Sequence, residues 1–390
     1  MQHKIVLFGN RIPPEYSGIG YRAIKHGRYL EEKGQLAFLL TTTTPYDDVD
    51  IKTVALPFGR VNSVSKFLNK FKPFHLVSFF CEAASIFKKK SKEFGILHSF
   101  SGGTFSSIFV LLGKLMNFKT VIEVTLPPPQ IKEVQYLDVA DYLRTWSWKN
   151  ADELIGISPD IYSYFGKYNI ETKKCHLIPN GVNTARFEPV TQKKKDRLRK
   201  KYELPKDAKV LILVGPVIKR KGPDIAVKIF KKLKRYDTDY KLILLGETES
   251  ASNKDLFEEN EEFFINESRR GNIIIPGLTD KVEEYLQLSD IFIFPTRKEG
   301  LGNAPLEAMA CGLPVIANKL EGVTDYYVKD GKNGFLVSDN KYEDYVGHIS
   351  NLMNDPSEYE RISENAVRWI KKHISEDIVY QQYQDVYAKL

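Results

Sequence analysis

Two glutamates, Glu299 and Glu307, flank the run Gly300-Leu301-Gly302-Asn303, just after the apolar stretch Ile291–Phe294. A carboxylate accepts hydrogen bonds from sugar or ribose hydroxyls, and free backbone N–H groups at a helix start favour a diphosphate. Asn303 as N-cap and Pro305 in the first turn predict that a helix opens here. Gly312 as the residue past its end and Pro314 predict where it stops. Glu299 is thus expected in a loop at the carboxyl end of a strand and Glu307 early in the next helix. Open α/β sheets bind ligands at that edge. The spacing alone also suits two solvated glutamates on a surface helix; strand, loop and caps together favour the site.

A second cluster, Lys219-Arg220-Lys221-Gly222, follows the buried-looking run Val210–Val214. Fixed cations there suit a diphosphate leaving group, because negative charge grows on that group as its bond to carbon breaks. The bland alternative is a solvated basic turn. Gly18 and Gly20 stand between the first apolar run and a helical stretch, Tyr21–Glu32, where glycine lets backbone approach a phosphate or sugar. The third glycine of a dinucleotide fingerprint is missing, so NAD fits poorly and a simple tight turn is the other reading. His98, at a strand end before Ser99-Phe100-Ser101-Gly102-Gly103, is either a sugar or acceptor contact or a structural core histidine. The triplets Asp48-Val49-Asp50 and Asp237-Thr238-Asp239 lie in polar stretches and are read as solvated loops, so no catalytic metal is expected. No cofactor is expected either.

The elements that must position these residues are short apolar runs alternating with helical stretches, from Lys4–Phe8 to Gly334–Val337. Continuous rather than alternating runs indicate parallel strands buried on both faces, hence βαβ units and doubly wound sheets. At 390 residues the chain exceeds the size at which one core usually splits, so two domains are expected. The pattern restarts at Lys209, after a polar, basic stretch over Thr184–Asp207. The expected division is therefore 1–184, 185–372, and a last helix, 373–390, returning to the first domain. The C-terminal stretch Ser357–Leu390 is read as helical, and its aromatic stripe (Trp369, Tyr380, Tyr383, Tyr387) as a packing face.

Cys81, Cys175 and Cys311 are widely spaced and odd in number, which leaves no zinc spacing or disulfide framework and suits a reducing cytosol. Neither the first apolar run nor Phe74–Phe87 is long enough for a signal core or a membrane span, so a cytoplasmic protein is expected. A net charge of +7 is mild attraction to anions and decides nothing alone. The run Lys193-Lys194-Lys195 to Lys200-Lys201 has no interleaved aromatics, so a solvated linker or helix is favoured over a nucleic-acid surface. Residues 64–92 differ, mixing phenylalanines with Lys66, Lys70, Lys72 and Lys88-Lys89-Lys90. That mixture fits either peripheral seating on the inner membrane face or an ordinary amphipathic helix covering the sheet.

The stretch from Phe294 to Ile316 resembles the E-x7-E signature of family 4 of the retaining glycosyltransferases, with Glu299 and Glu307 at its two glutamates. Pro13-Pro14-Glu15-Tyr16-Ser17-Gly18-Ile19-Gly20 looks like that family's first loop. Ala151 to Ser158 and Ile178-Pro179-Asn180-Gly181-Val182-Asn183 resemble its pre-hinge segments. Val214 to Asp224 and Asp330 to Val337 resemble two further segments, all in the family's order. The resemblance implies a GT-B fold, two Rossmann-like doubly wound parallel-sheet α/β domains facing a cleft. It implies a hexosyltransferase moving sugar from a UDP- or GDP-sugar to a glycan, lipid-linked or small-molecule hydroxyl acceptor, with the donor as co-substrate.

By the same resemblance Glu307 binds the ribose hydroxyls, Glu299 the donor sugar, and Arg220 and Lys221 the diphosphate. Gly18 closes over the phosphates, and backbone near Gly277 and Leu278 meets the base. Configuration is retained, the acceptor attacking on the leaving-group face with a phosphate oxygen taking its proton. Two positions depart from the pattern. Pro216 stands where an arginine is frequent, and Thr125 or Leu126 where a histidine facing the sugar is frequent. A threonine hydroxyl donates one hydrogen bond but carries no positive charge. A GT-B phosphorylase and a catalytically silent nucleotide-binding scaffold are the alternatives.

Overall fold

The computed structural model describes residues 4–9, 12, 18–42, 51–56, 72–100, 102–126, 139–248, 256–338 and 341–390. Two compact units result, one of Met1–Pro179 with Tyr380–Leu390 and one of Asn180–Val379. The first contains β1 (Ile5–Gly9), α1 (Gly18–Glu32), β2 (Leu36–Thr41), β3 (Thr53–Ala55), α2 (Lys72–Lys90), β4 (Ile96–Ser99), α3 (Thr104–Met116), β5 (Lys119–Val124), α4 (Val139–Asn150), β6 (Glu153–Gly156), α5 (Pro159–Lys167) and β7 (Cys175–Leu177). The second contains α6 (Gln192–Lys201), β8 (Lys209–Val214), α7 (Pro223–Leu233), β9 (Tyr240–Leu245), α8 (Glu261–Arg269), β10 (Ile273–Gly277), α9 (Val282–Leu288), β11 (Ile291–Phe294), α10 (Asn303–Ala310), β12 (Val315–Asn318), α11 (Thr324–Tyr327), β13 (Phe335–Val337), α12 (Tyr342–Asn354) and α13 (Pro356–His373). A last helix, α14 (Glu376–Tyr387), begins in the second unit and ends in the first.

Each unit is built on one parallel sheet, seven strands in the order β3-β2-β1-β4-β5-β6-β7 and six in the order β10-β9-β8-β11-β12-β13. The apolar runs behave as doubly buried strands. Val6, Leu7 and Phe8 are all fully buried, as are Val210 to Leu213, so both faces of each central strand are covered by helices. In the first unit Phe8 stacks on Phe109 of α3 at 4.6 Å and meets Phe79 of α2 edge-on at 5.5 Å. In the second, Ile229 and Phe230 of α7 pack on Leu211, Leu213, Leu242 and Leu244.

The passage between units falls at Pro179/Asn180, slightly before the expected junction. Asn180 bonds to Asn303, and Val182 bridges to Ser375, which commits this strip to the second unit. The basic run 193–201 is α6, held by Lys195 on Asp290 at 2.6 Å and buried Arg199 on the same carboxylate at 2.7 Å. The triplet at 48–50 lies outside the described residues, whereas Asp237 takes Lys209 at 2.6 Å and accepts from the Asp239 N–H.

Tyr383 and Tyr387 of α14 pack on a buried polar cluster of the first unit and Tyr380 stacks on Tyr29, whereas Trp369 of the same stripe lies on α13. Arg22 of α1 pairs with Glu123 of β5 at 2.7 Å, and Tyr383 donates to the same carboxylate. Burial raises the Glu123 pKa, and Arg22 opposes that rise. The Tyr387 hydroxyl lies 2.8 Å from His26 Nε2 and 2.6 Å from His98 Nδ1, so it donates to one ring and accepts from the other. Burial, then the neighbouring Arg22, lowers the His26 pKa to about 3. In the unfolded chain this ring titrates near the ordinary value of about 6.5. Between those limits only the unfolded chain gains a proton, so stability present above pH 6.5 is lost as pH falls toward 3. His26→Gln is therefore expected to make the pH slope of stability between pH 6 and 4 shallower by about 1.4 kcal/mol per unit. Urea unfolding of variant and parent at stepped pH reads this; identical slopes refute it.

Candidate functional site

The strand order of the second unit reverses between β8 and β11, and the loops leaving those two strands lie side by side at the carboxyl edge. Such a reversal opens a crevice between diverging loops, which is where doubly wound sheets bind ligands. The loop after β8 carries Arg220 and Lys221; the loop after β11 carries Glu299. The Lys221 ammonium and the Arg220 guanidinium both bond to one oxygen of Glu299, Arg220 at 3.2 Å. Sequence separation of nearly eighty residues between these charges is closed by the pairing of β8 with β11.

The loops are clamped from below. Arg220 donates to the Lys298 carbonyl at 2.8 Å, and the Arg297 N–H donates to the Arg220 carbonyl at 2.8 Å. Arg297 grips Asp224 of α7 with both ends of its guanidinium, at 2.9 and 2.6 Å. Gly222 adopts φ +78°, where a Cβ would lie 2.8 Å from the Pro295 carbonyl carbon, so glycine alone lets the two loops meet.

Lys221 is nearly buried, its ammonium 5.5 Å from the centroid of the Phe294 ring. Gly215, at φ +142°, leaves the space beside it; a Cβ there would press on Lys221 Cε at 3.3 Å. Burial lowers the Lys221 pKa, and the Glu299 carboxylate opposes that shift. The result is an ammonium deprived of water and held by a single carboxylate, a poised partner for an incoming anion.

The glycine-rich loop closes the other side. Gly302, not Asn303, is the residue before the helix, because the chain turns there through φ +87°, which favours glycine. Asn303 instead becomes the first residue of α10, and its side-chain amide oxygen accepts from the Asn180 side-chain amide. Gly312 follows the helix at φ +80°, as its position indicated. Leu301 is buried and Gly300 takes its N–H toward Glu299 at 3.4 Å. Glu307 is half-buried on the next turn of α10. Gly277 ends β10 at φ +80° with Leu278 exposed beyond it, on the same carboxyl edge.

The residues named in the first unit lie elsewhere. Gly18 and Gly20 open α1; positions 13–17 before them fall outside the described residues. Thr125 is half-buried just past β5, and Leu126 is exposed. His98 is fully buried between Tyr387 and Phe100, inside the cluster that holds α14. Sequence reasoning missed the Arg297–Asp224 clip, for which residue types 73 positions apart offer no local signal.

The sequence model described as glycosyl transferases group 1 matches residues 194–369, a segment that holds Arg220, Lys221, Glu299 and Glu307. Over this segment the chain is similar to the glycosyl transferases group 1 family. Relatives of the group include the capsular polysaccharide biosynthesis glycosyltransferase CapM of Staphylococcus aureus, 28% identical over 243 residues, 61% of each chain. A D-inositol 3-phosphate glycosyltransferase of Acidothermus cellulolyticus is 28% identical over 253 residues, 62% of this chain and 53% of its own. The matches thus span between about half and two thirds of these relatives. The fold is GT-B. A structure of Anabaena HepE with UDP and glucose matches at TM-score 0.78 and 15% identity, covering 100% of both chains. Sucrose-phosphate synthase of Thermosynechococcus elongatus matches at TM-score 0.80 and 20% identity, over 99% and 98%.

Proposed function

We propose that this chain is a retaining hexosyltransferase that uses a nucleoside-diphosphate sugar, a UDP- or GDP-sugar, and binds it at the carboxyl edge of the second unit's sheet. The observation that carries the reading is the sharing of one carboxylate, Glu299, by Lys221 and Arg220 at the topological switch of that sheet. A diphosphate arriving at the switch competes for the same two cations. It takes Lys221 and Arg220 as counter-charges, and Glu299 is released to accept hydrogen bonds from the sugar hydroxyls. Charge neutralisation then comes from side chains, with no metal. Glu307 accepts from the ribose hydroxyls, and backbone about Gly277 and Leu278 faces the base. As the anomeric carbon–oxygen bond breaks, the acceptor hydroxyl forms the new bond on the same face and its proton passes to the departing phosphate oxygen.

A structural neighbour supports a nucleotide sugar as donor: HepE was solved with UDP and glucose. The acceptor in this reading is a hydroxyl of a glycan, a lipid-linked glycan or a small molecule. A seat on anionic membrane through 64–92 belongs to the same reading. Of that stretch α2 leaves Val77 exposed and ends on Lys88, Lys89 and Lys90. Among the described residues no helix is long and apolar enough to cross a membrane.

Titration calorimetry of UDP, GDP and ADP against the chain and Glu307→Ala tests the donor site. One nucleotide is expected to bind preferentially, and Glu307→Ala to weaken it about tenfold or more, the worth of a hydrogen bond to a charged group. Folded chain that binds no nucleotide removes the assignment.

A further inference from the structure

A cavity of about 370 Å³ opens on the second unit, lined by Lys231, Lys234, Arg235, Phe263, Glu267 and Arg270 together with Thr238 and Asn272. Thr238 lies two residues before β9 and Asn272 immediately before β10, so the cavity lies at the amino edge of the sheet. Arg220, Lys221 and Glu299 follow strands of the same parallel sheet and lie at its opposite edge.

The charges here do not balance. Buried Glu267 spends one oxygen on Arg270 at 2.9 Å and the other on the Asn272 amide at 2.8 Å. Lys234, only 14% exposed at its side chain, donates to the Thr238 carbonyl and stands 4.0 Å from Glu267. Lys231 donates to the neutral amide oxygen of Asn260 at 2.9 Å, its ammonium 5.5 Å from the Phe263 ring centroid. Arg235 has no carboxylate partner among the described residues. Asp237 on the adjoining turn is committed to Lys209 at 2.6 Å. Once Arg270 is set against Glu267, three cations face the cavity without a carboxylate of their own. The ends of α7 and α8 explain part of this, because a helix C-terminus carries roughly half a negative charge. Two such ends offset about one cation and leave about two.

The geometry points to a binding site for a phosphoryl group carrying two or more negative charges, distinct from the nucleotide-sugar site. A cavity of this size holds on the order of ten waters' volume, enough for a diphosphate or a phosphorylated headgroup over the Phe263 ring. Because the two sites occupy opposite edges of one sheet, an anion here does not compete with the donor for Lys221. The inference stands apart from the proposed activity, since it rests on none of Arg220, Lys221 or Glu299.

Two arms identify the source of the phosphoryl group. Inorganic pyrophosphate is titrated calorimetrically into the full chain, and in parallel the chain is sedimented with phosphatidylcholine vesicles with or without phosphatidic acid. Each arm is run on the parent, on Lys221→Met, and on Lys231→Gln/Arg235→Gln, with circular dichroism to check folding. Arg270→Gln, whose side chain is 70% exposed, serves as a second cavity variant. Expected is a binding event in at least one arm that survives Lys221→Met and is weakened at least tenfold by the cavity substitutions. Binding in the first arm alone identifies a soluble phosphate, and in the second alone a lipid headgroup. No binding in either arm, binding unchanged by the cavity variants, or binding abolished by Lys221→Met overturns the proposal.

Discussion

Lys221→Met is expected to lower sugar-transfer turnover by about 10²–10³-fold while the chain stays folded, the usual worth of one preorganised group aimed at developing transition-state charge. Methionine keeps the length and the apolar contact with Phe294, and Glu299 keeps Arg220 at 3.2 Å, so packing survives and the charge alone is lost. The loss should fall mainly on kcat, because charge on the leaving phosphate grows as the glycosidic bond breaks. Steady-state kinetics with the donor identified by calorimetry reads it. Turnover within threefold of the parent would mean that Lys221 is only a structural partner of Glu299, and the diphosphate would have to be held elsewhere.

The second large effect is on stability. Gly222→Ala must place a methyl group 2.8 Å from the Pro295 carbonyl carbon, at a φ of +78° that costs an L-residue about 1–2 kcal/mol before any clash. Relief requires the β8 and β11 loops to part, which also breaks the hydrogen bond from Arg297 to the Arg220 carbonyl. A loss of about 3 kcal/mol or more is expected, together with loss of nucleotide binding. Gly271→Ala is the matched control. It has nearly the same backbone angle, +67°, but nothing within 4 Å of the added methyl, so it should cost only about 1 kcal/mol. Denaturant unfolding of both variants separates backbone strain from close approach. Equal losses would show that the meeting of the two loops contributes nothing.

Much of this architecture was legible from local pattern. The continuous apolar run Ile291–Phe294 is a strand with those very bounds, and Val210–Val214 is a strand that gains only Lys209 at its start, because a strand buried on both faces reads as one unbroken apolar run. Gly312 ended its helix for the reason its type suggested. Asn303 shows the limit of such reading. Its side chain is a good N-cap, yet the tight turn out of Glu299 needs a positive φ at the position before it, and Gly302 takes the cap. The choice belongs to the loop's path over Phe294, which local propensity does not contain.

Residue order alone thus established two parallel α/β sheets and the loops at their carboxyl ends, since both follow from periodicity, glycine and proline acting over a few residues. The tertiary structure decided which charges meet. Lys221 and Glu299 come together only because β8 and β11 are neighbours in the sheet, and Arg22, Glu123 and Tyr383 only because α14 folds back onto the first unit. It likewise decided that His98 lies beneath α14, and that three cations gather at the amino edge of the second sheet. Pairings of this kind depend on strand order and helix packing between distant segments, for which the chain carries no short-range signal.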